Sequence, residues 1–137
     1  LAGLRVGYGI AQKPLADMLR RVRPPFTVTQ QAQVAAAAAL HDTEFLRKTL
    51  ENNDRCRSML VKELATLGIA TVESHTNFVL AKVGDGAAWA HRLERHALIV
   101  RPVNSYALPE WIRISIGTMD ETMRLVQAFQ REMAAAA

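Results

Sequence analysis

The 137-residue chain is predicted to be an α+β protein, with helices packed on a small sheet. Three observations carry this. A long helical stripe runs from Asp42 to Leu67, with Leu46, Leu50, Leu60, Leu64 and Leu67 on one face. Beyond it, short apolar strand-like runs are interleaved with one helical stretch. Finally, Thr118 and Glu121 form a capping box before a last helix.

Element by element, residues 4–10 read as a buried strand. Pro14 opens a helix reaching about Val22, since proline suits a first helical turn. Arg23-Pro24-Pro25-Phe26 is a rigid connector and the best internal boundary. Thr29 caps a helix over 30–40, and Asp42 caps the long one, which Gly68 ends. Residues 69–72 and 77–83 are strand candidates, separated by the Gly84-Asp85-Gly86 turn from a helix over 87–96 that buries Trp89 and Leu93. Residues 98–100 read as a short strand, 106–109 as a loop and 111–116 as an alternating strand. The last helix aligns Met123, Val126, Phe129 and Met133, and the terminal alanines 134–137 read as a frayed end.

Composition narrows the function. The net charge of +4 is spread out, and the one basic cluster, Arg20, Arg21 and Arg23, reads as a solvated helix end. With two Trp, two Tyr and four Phe there is no aromatic-basic interleaving, so no nucleic-acid partner is expected. No apolar run reaches membrane-spanning length. The single cysteine, Cys56, rules out an internal disulfide and fits a reducing cytoplasm. The four histidines and Cys56 lack ligand spacing, so no metal is expected, and no glycine-rich phosphate loop is present.

Five residues stand out as candidates for binding. Arg5 sits in Leu1-Ala2-Gly3-Leu4-Arg5-Val6-Gly7-Tyr8, a cation in an apolar, glycine-flanked run. It either pairs with an internal carboxylate or takes an external anion. Arg113 is the one charge in the alternating run Trp111-Ile112-Arg113-Ile114-Ser115-Ile116-Gly117-Thr118, and is either a solvated edge cation or a ligand-binding fork. Arg101, twelve residues earlier, ends the run Leu98-Ile99-Val100. Asn77, in Ser74-His75-Thr76-Asn77-Phe78-Val79-Leu80, is either a turn former or an amide bracing a carboxylate or an arginine. Tyr106 lies in a Tyr-x-Leu-Pro loop.

These segments, in this order, resemble the C-terminal part of fold-type I (class I/II) aminotransferases, enzymes that use pyridoxal 5'-phosphate, and most closely the histidinol-phosphate branch. The opening motif and the segment around Arg113 are specific; the helices between are not. The resemblance covers residues 1 to about 132. It implies that Arg5 grips the cofactor phosphate. It implies that Arg113 binds the carboxylate or phosphate end of the substrate and that Arg101 shares in substrate recognition, with Ala97 where a glycine is usual. Asn77 would brace that site and Tyr106 line its entrance. The cofactor lysine would lie a few residues upstream of Leu1. Lys13, Lys48, Lys62 and Lys82 match no catalytic position, so this chain would hold no catalytic residue and be inactive alone.

On this reading the chain is a piece of a longer polypeptide: residues 1–23 a strand-helix remnant of the large cofactor-binding domain, residues 24–137 the small domain. The parent would act in histidine or other amino-acid biosynthesis, moving an amino group between an L-amino compound and a 2-oxo acid as a cytoplasmic homodimer. A pyridoxal-phosphate decarboxylase of the threonine-phosphate type shares these motifs, and a non-catalytic α+β association module is the alternative from another class.

Overall fold

The computed structural model describes residues 2–135. Leu1 and the last two terminal alanines, Ala136 and Ala137, lie outside the described residues. The chain forms two compact units, Leu1–Arg47 and Lys48–Ala137.

The first unit is helical. A 3-10 turn, Ala2–Leu4, leads through irregular backbone to helix α1, Lys13–Val22, with Pro14 in its first turn. The strand expected over 4–10 is not formed, and Tyr8 and Ile10 are 79% and 94% exposed. The physical reason is that a strand is held by its neighbour's hydrogen bonds, and this segment joins no sheet ladder among the described residues. Helix α1 carries Leu15, Met18, Leu19 and Val22 at helical spacing, yet buries none of its residues. Helix α2 spans Gln30–His41, its first turn closed by the Ala32 amide donating to Thr29 Oγ1 at 3.2 Å. Helix α3 spans Thr43–Thr66 and starts where the Phe45 amide donates to Asp42 Oδ1 at 3.0 Å.

The second unit begins within α3. Leu60 and Leu64 enter the core, whereas Leu46 and Leu50, on the same predicted stripe, are exposed. Gly68 closes α3 with a Schellman motif: its amide donates to the Ala65 carbonyl at 3.0 Å, and the Ile69 amide to the Leu64 carbonyl at 2.9 Å. Gly68 has φ +73°, and Ile69 packs in the core with Leu64, the apolar contact usual to that motif.

The sheet is antiparallel throughout, in the order β1-β2-β4-β3, with β1 Ala70–Thr71, β2 Phe78–Lys82, β3 Arg101–Val103 and β4 Leu108–Ser115. Period-two alternation sorts its side chains. Val79, Ala81, Ile112 and Ile114 are buried against Leu60 and Leu64 of α3, Leu93 of α4 (Gly86–Glu94), and Leu125, Val126 and Phe129 of α5 (Met119–Ala134). Phe129 is fully buried and its ring lies 4.9 Å from that of Trp89. The helices thus supply one face of the sheet, and Phe78, Leu80, Arg113 and Arg101 alternate onto the other.

Three further expectations are corrected. The strand expected at 98–100 begins only at Arg101. Helix α4 ends with the same closure as α3: the Ala97 amide donates to the Glu94 carbonyl at 2.9 Å and the Leu98 amide to the Leu93 carbonyl at 3.1 Å, with Ala97 at φ +56°. That closure uses Leu98, so the next residues alternate like a strand, Ile99 being 90% exposed, without joining the ladder. Strand β4 starts earlier than expected, at Leu108, because Ala107 at φ +58° already reverses the chain. In α5 the buried stripe is Thr122, Leu125, Val126 and Phe129; Met123 faces out. The capping box is present, with the Glu121 amide donating to Thr118 Oγ1 at 3.3 Å and the Thr118 amide to Glu121 Oε2 at 2.7 Å.

Candidate functional site

Arg101 and Arg113 are register partners across β3 and β4 and therefore stand on the same face of the sheet, opposite the buried core of their unit. One pair further on, after Pro102 and Ile112, the register slips between Pro102 and Val103. Among the described residues neither arginine forms an ion pair. Like charges set directly opposite oppose pairing of the strands, and an anion bound between such cations would relieve that repulsion.

The Arg113 side chain is half-buried, and its guanidinium carbon lies 5.4 Å from the centre of the Phe78 ring. Its Nε is sealed from solvent and bonds to nothing. A sealed donor without an acceptor is costly, which is unusual outside binding sites.

Asn77 sits at the start of β2, exposed, and its carbonyl accepts from the Ile116 amide at 2.8 Å. It is thus at the Gly117 end of the β2–β4 pair, next in sequence to Phe78 but not itself opposite either arginine. Tyr106 ends the 3-10 turn Asn104–Tyr106 at the tip of the β3–β4 hairpin, beyond the register slip, and is exposed. The structure brings Arg101 and Arg113 together and does not add Tyr106 to them.

Arg5 belongs to the other unit. It is exposed, has φ +53°, and stands between Gly3 and Gly7, where an added Cβ would meet nothing within 4 Å. A guanidinium offers a planar fork of donors whose geometry suits a phosphate.

The site is held from α3. Asn52 Nδ2 donates to the Gly117 carbonyl at 2.9 Å, and Asn53 Nδ2 to that of Thr76 at 3.2 Å. Sequence reasoning gave these asparagines no role, because a helix-face Asn carries no local signal of a partner so far along the chain. A cleft of 370 Å³ lies on the helix side of the sheet, lined by Ile99, Ile116, Thr122 and Leu125 among others; it does not include the arginine pair. No group of three or more His, Cys, Asp or Glu among the described residues is placed to hold a metal, and no described helix is long and apolar enough to cross a membrane.

Comparison with known proteins identifies the class. Residues 1–129 match the family model of class I and II aminotransferases, and the chain belongs to that family, whose enzymes use pyridoxal 5'-phosphate. It is 49% identical over 140 aligned positions to histidinol-phosphate aminotransferase 2 of Ralstonia nicotianae, covering 99% of this chain and 37% of that protein. It is 45% identical over 137 positions to histidinol-phosphate aminotransferase 1 of Cupriavidus pinatubonensis, covering 97% of this chain and 36% of that one. The histidinol-phosphate aminotransferase of Sinorhizobium meliloti, solved in complex with pyridoxal-5'-phosphate, superposes on all of this chain and 39% of its own at TM-score 0.77 and 27% identity. That of Clostridium acetobutylicum shows the same fold at TM-score 0.77 and 20% identity, over 90% of this chain and 39% of its own. The chain spans a little over a third of the length of the curated relatives it matches.

Proposed function

We propose that this chain is the substrate-binding, C-terminal part of a pyridoxal-phosphate aminotransferase that moves an amino group between histidinol phosphate and a 2-oxo acid. The observation that carries this reading is the facing pair Arg101 and Arg113 without a countercharge. Histidinol phosphate and 2-oxo acids are both anionic at one end, and two forks on one face suit a phosphate or a carboxylate. Identity of 45–49% to the two histidinol-phosphate aminotransferases supports that substrate.

Arg5 would hold the cofactor phosphate, its charge and donor geometry matched to that group. The cofactor, when bound, supplies the electron sink for the reaction. Arg113 and Arg101 hold and orient the anionic end of the substrate, Asn77 braces the neighbouring chain and Tyr106 lines the approach. Residues 1–23 belong with the large domain and 24–137 form the small one, although the compact units divide inside α3. The whole enzyme acts in the cytoplasm as a homodimer. The exposed apolar stripe of α1, and Phe26 at 99% exposure, support association with further protein surface.

The test is a chimera in which this chain replaces the matching segment of the Ralstonia nicotianae relative. The expected result is pyridoxal-phosphate-dependent formation of an amino acid from a 2-oxo acid with histidinol phosphate as donor. A folded, cofactor-loaded chimera that releases carbon dioxide from an amino acid, or that transfers nothing from histidinol phosphate, overturns it.

A further inference from the structure

The geometry points to Phe78 as the positioning residue of the anion site: its ring fixes the plane of the Arg113 guanidinium and directs the terminal nitrogens, rather than Nε, toward the ligand. This rests on the reading of Arg113 as an anion-binding residue.

Phe78 pairs with Ser115 and Leu80 with Arg113, so Phe78 and Arg113 are diagonal neighbours on one face. Strand twist brings such diagonals within reach of long and aromatic side chains. The observed 5.4 Å from guanidinium carbon to ring centre is within cation–π range. Arginine is a long side chain with several rotamers, and the Phe78 ring is a flat surface that limits them here. Its Nε is the sealed donor. Approach of an anion to Nε would require the side chain to move, whereas the fork at Nη1 and Nη2 stays available.

The backbone that carries the ring is itself anchored. The Phe78 carbonyl accepts from Ser74 Oγ at 2.6 Å and from Thr76 Oγ1 at 3.2 Å. The two hydroxyls are 3.0 Å apart. The Thr76 carbonyl accepts in turn from Asn53 at 3.2 Å and from Arg57 Nη1 at 3.5 Å, both on α3. The loop therefore ties the Phe78 backbone to α3, and the Phe78 ring meets the arginine on the opposite face of the sheet.

The experiment follows the Arg113 Nε–H signal by NMR in the 137-residue chain labelled with ¹⁵N-arginine, titrated with inorganic phosphate. The signal is identified by its loss in Arg113→Lys. In the wild type it is expected upfield of the Arg101 signal, from the ring current, and to respond to phosphate. Phe78→Leu should abolish the upfield shift and weaken phosphate binding about 3- to 10-fold, while Phe78→Tyr restores both. The Trp89 indole signal reports that each variant is folded, since Trp89 packs on Phe129 on the other side of the sheet. If Phe78→Leu is folded and binds phosphate as the wild type does, Phe78 has no positioning role and the reading of Arg113 survives. If Arg113 in the wild type does not respond to phosphate at all, the reading of the site fails and this inference with it.

Discussion

Arg101 faces Arg113 across the β3–β4 ladder, cation against cation, on the side of the sheet opposite the core of its unit. Both the neighbouring register positions and the opposite face are occupied by apolar residues: Ile112 and Ile114 are buried. The pair is thus an exception within an otherwise conventional half-buried sheet, and exceptions of this kind mark where a fold has given up stability for binding.

Removing one charge should show that exchange. Arg101→Ala is expected to leave the ligand-free chain as stable or more stable, by about 0.2–1 kcal/mol at low salt, because a like-charge cross-strand contact is lost. The same change should weaken binding of phosphate or a carboxylate by about 1.5–3 kcal/mol, the worth of a charged hydrogen bond. Denaturant titrations at low and high salt, paired with an anion titration, measure both. A variant that is less stable and binds as well would mean that Arg101 is a structural cation.

Gly86, at the first position of α4, is the tightest glycine of the second unit's interior. A Cβ there would fall against the Trp111 carbonyl oxygen and within 3.0 Å of that of Pro109. Both belong to the backbone of β4, which the Val83 and Gly84 amides also hold through the Glu110 carbonyl, at 2.8 and 3.1 Å. Gly86→Ala should therefore destabilise by about 1–3 kcal/mol, as overpacking does, despite alanine's better helix propensity. A thermal midpoint at or above the wild-type value would show that the β4 backbone yields.

What was legible in the sequence was local. Thr29, Asp42, the Thr118–Glu121 box and Gly68 act where their own few neighbours put them, and all four do as expected. Residues 4–10 were misread because apolar composition suits a strand only where another strand is beside it. Leu46 and Leu50 were misread because helical period says which residues share a face, not how far along the helix that face is covered. The two arginines were both singled out, but their register was not, since it depends on where the slip at Pro102 and Val103 falls. Phe78 lies inside the Ser74–Leu80 run, and its diagonal contact with Arg113 depends on the same register.

Acid should loosen the last helix at both ends. Hydrogen bonds from the Thr118 amide and hydroxyl hold the Glu121 carboxyl below the ordinary glutamate range. A hydrogen bond to His96 at 2.7 Å, opposed in part by burial and aided by Arg95, does the same for Glu132 and ties α5 to the end of α4. Groups with lowered folded-state values bind fewer protons folded than unfolded, so stability rises with pH through that window. Their contribution is complete above the unfolded value of about 4.3 and is lost as pH falls through the lower folded values. Unfolding measured from pH 6 downward should show this slope, flattened in Glu121→Gln and Glu132→Gln. An identical slope in the double variant would assign acid sensitivity to other carboxylates.

Gly68 and Ala97 occupy the same place in the closures of α3 and α4, with φ +73° and +56° and the same pair of backbone hydrogen bonds. One is the residue that conformation favours and the other is not. An L-residue in left-handed backbone is strained by roughly 1–2 kcal/mol, and glycine's extra freedom in the unfolded chain returns about 0.4–1 kcal/mol of that. Ala97→Gly should therefore stabilise by about 0.5–1 kcal/mol, and Gly68→Ala should destabilise by a similar amount. At Gly68 an added Cβ meets nothing within 4 Å, so its effect is conformational and not steric. The two substitutions are chemical opposites at equivalent positions, and denaturation midpoints should move in opposite directions. If both move downward, the α4 closure is set by what surrounds Leu98 and Arg95 and not by the backbone at position 97.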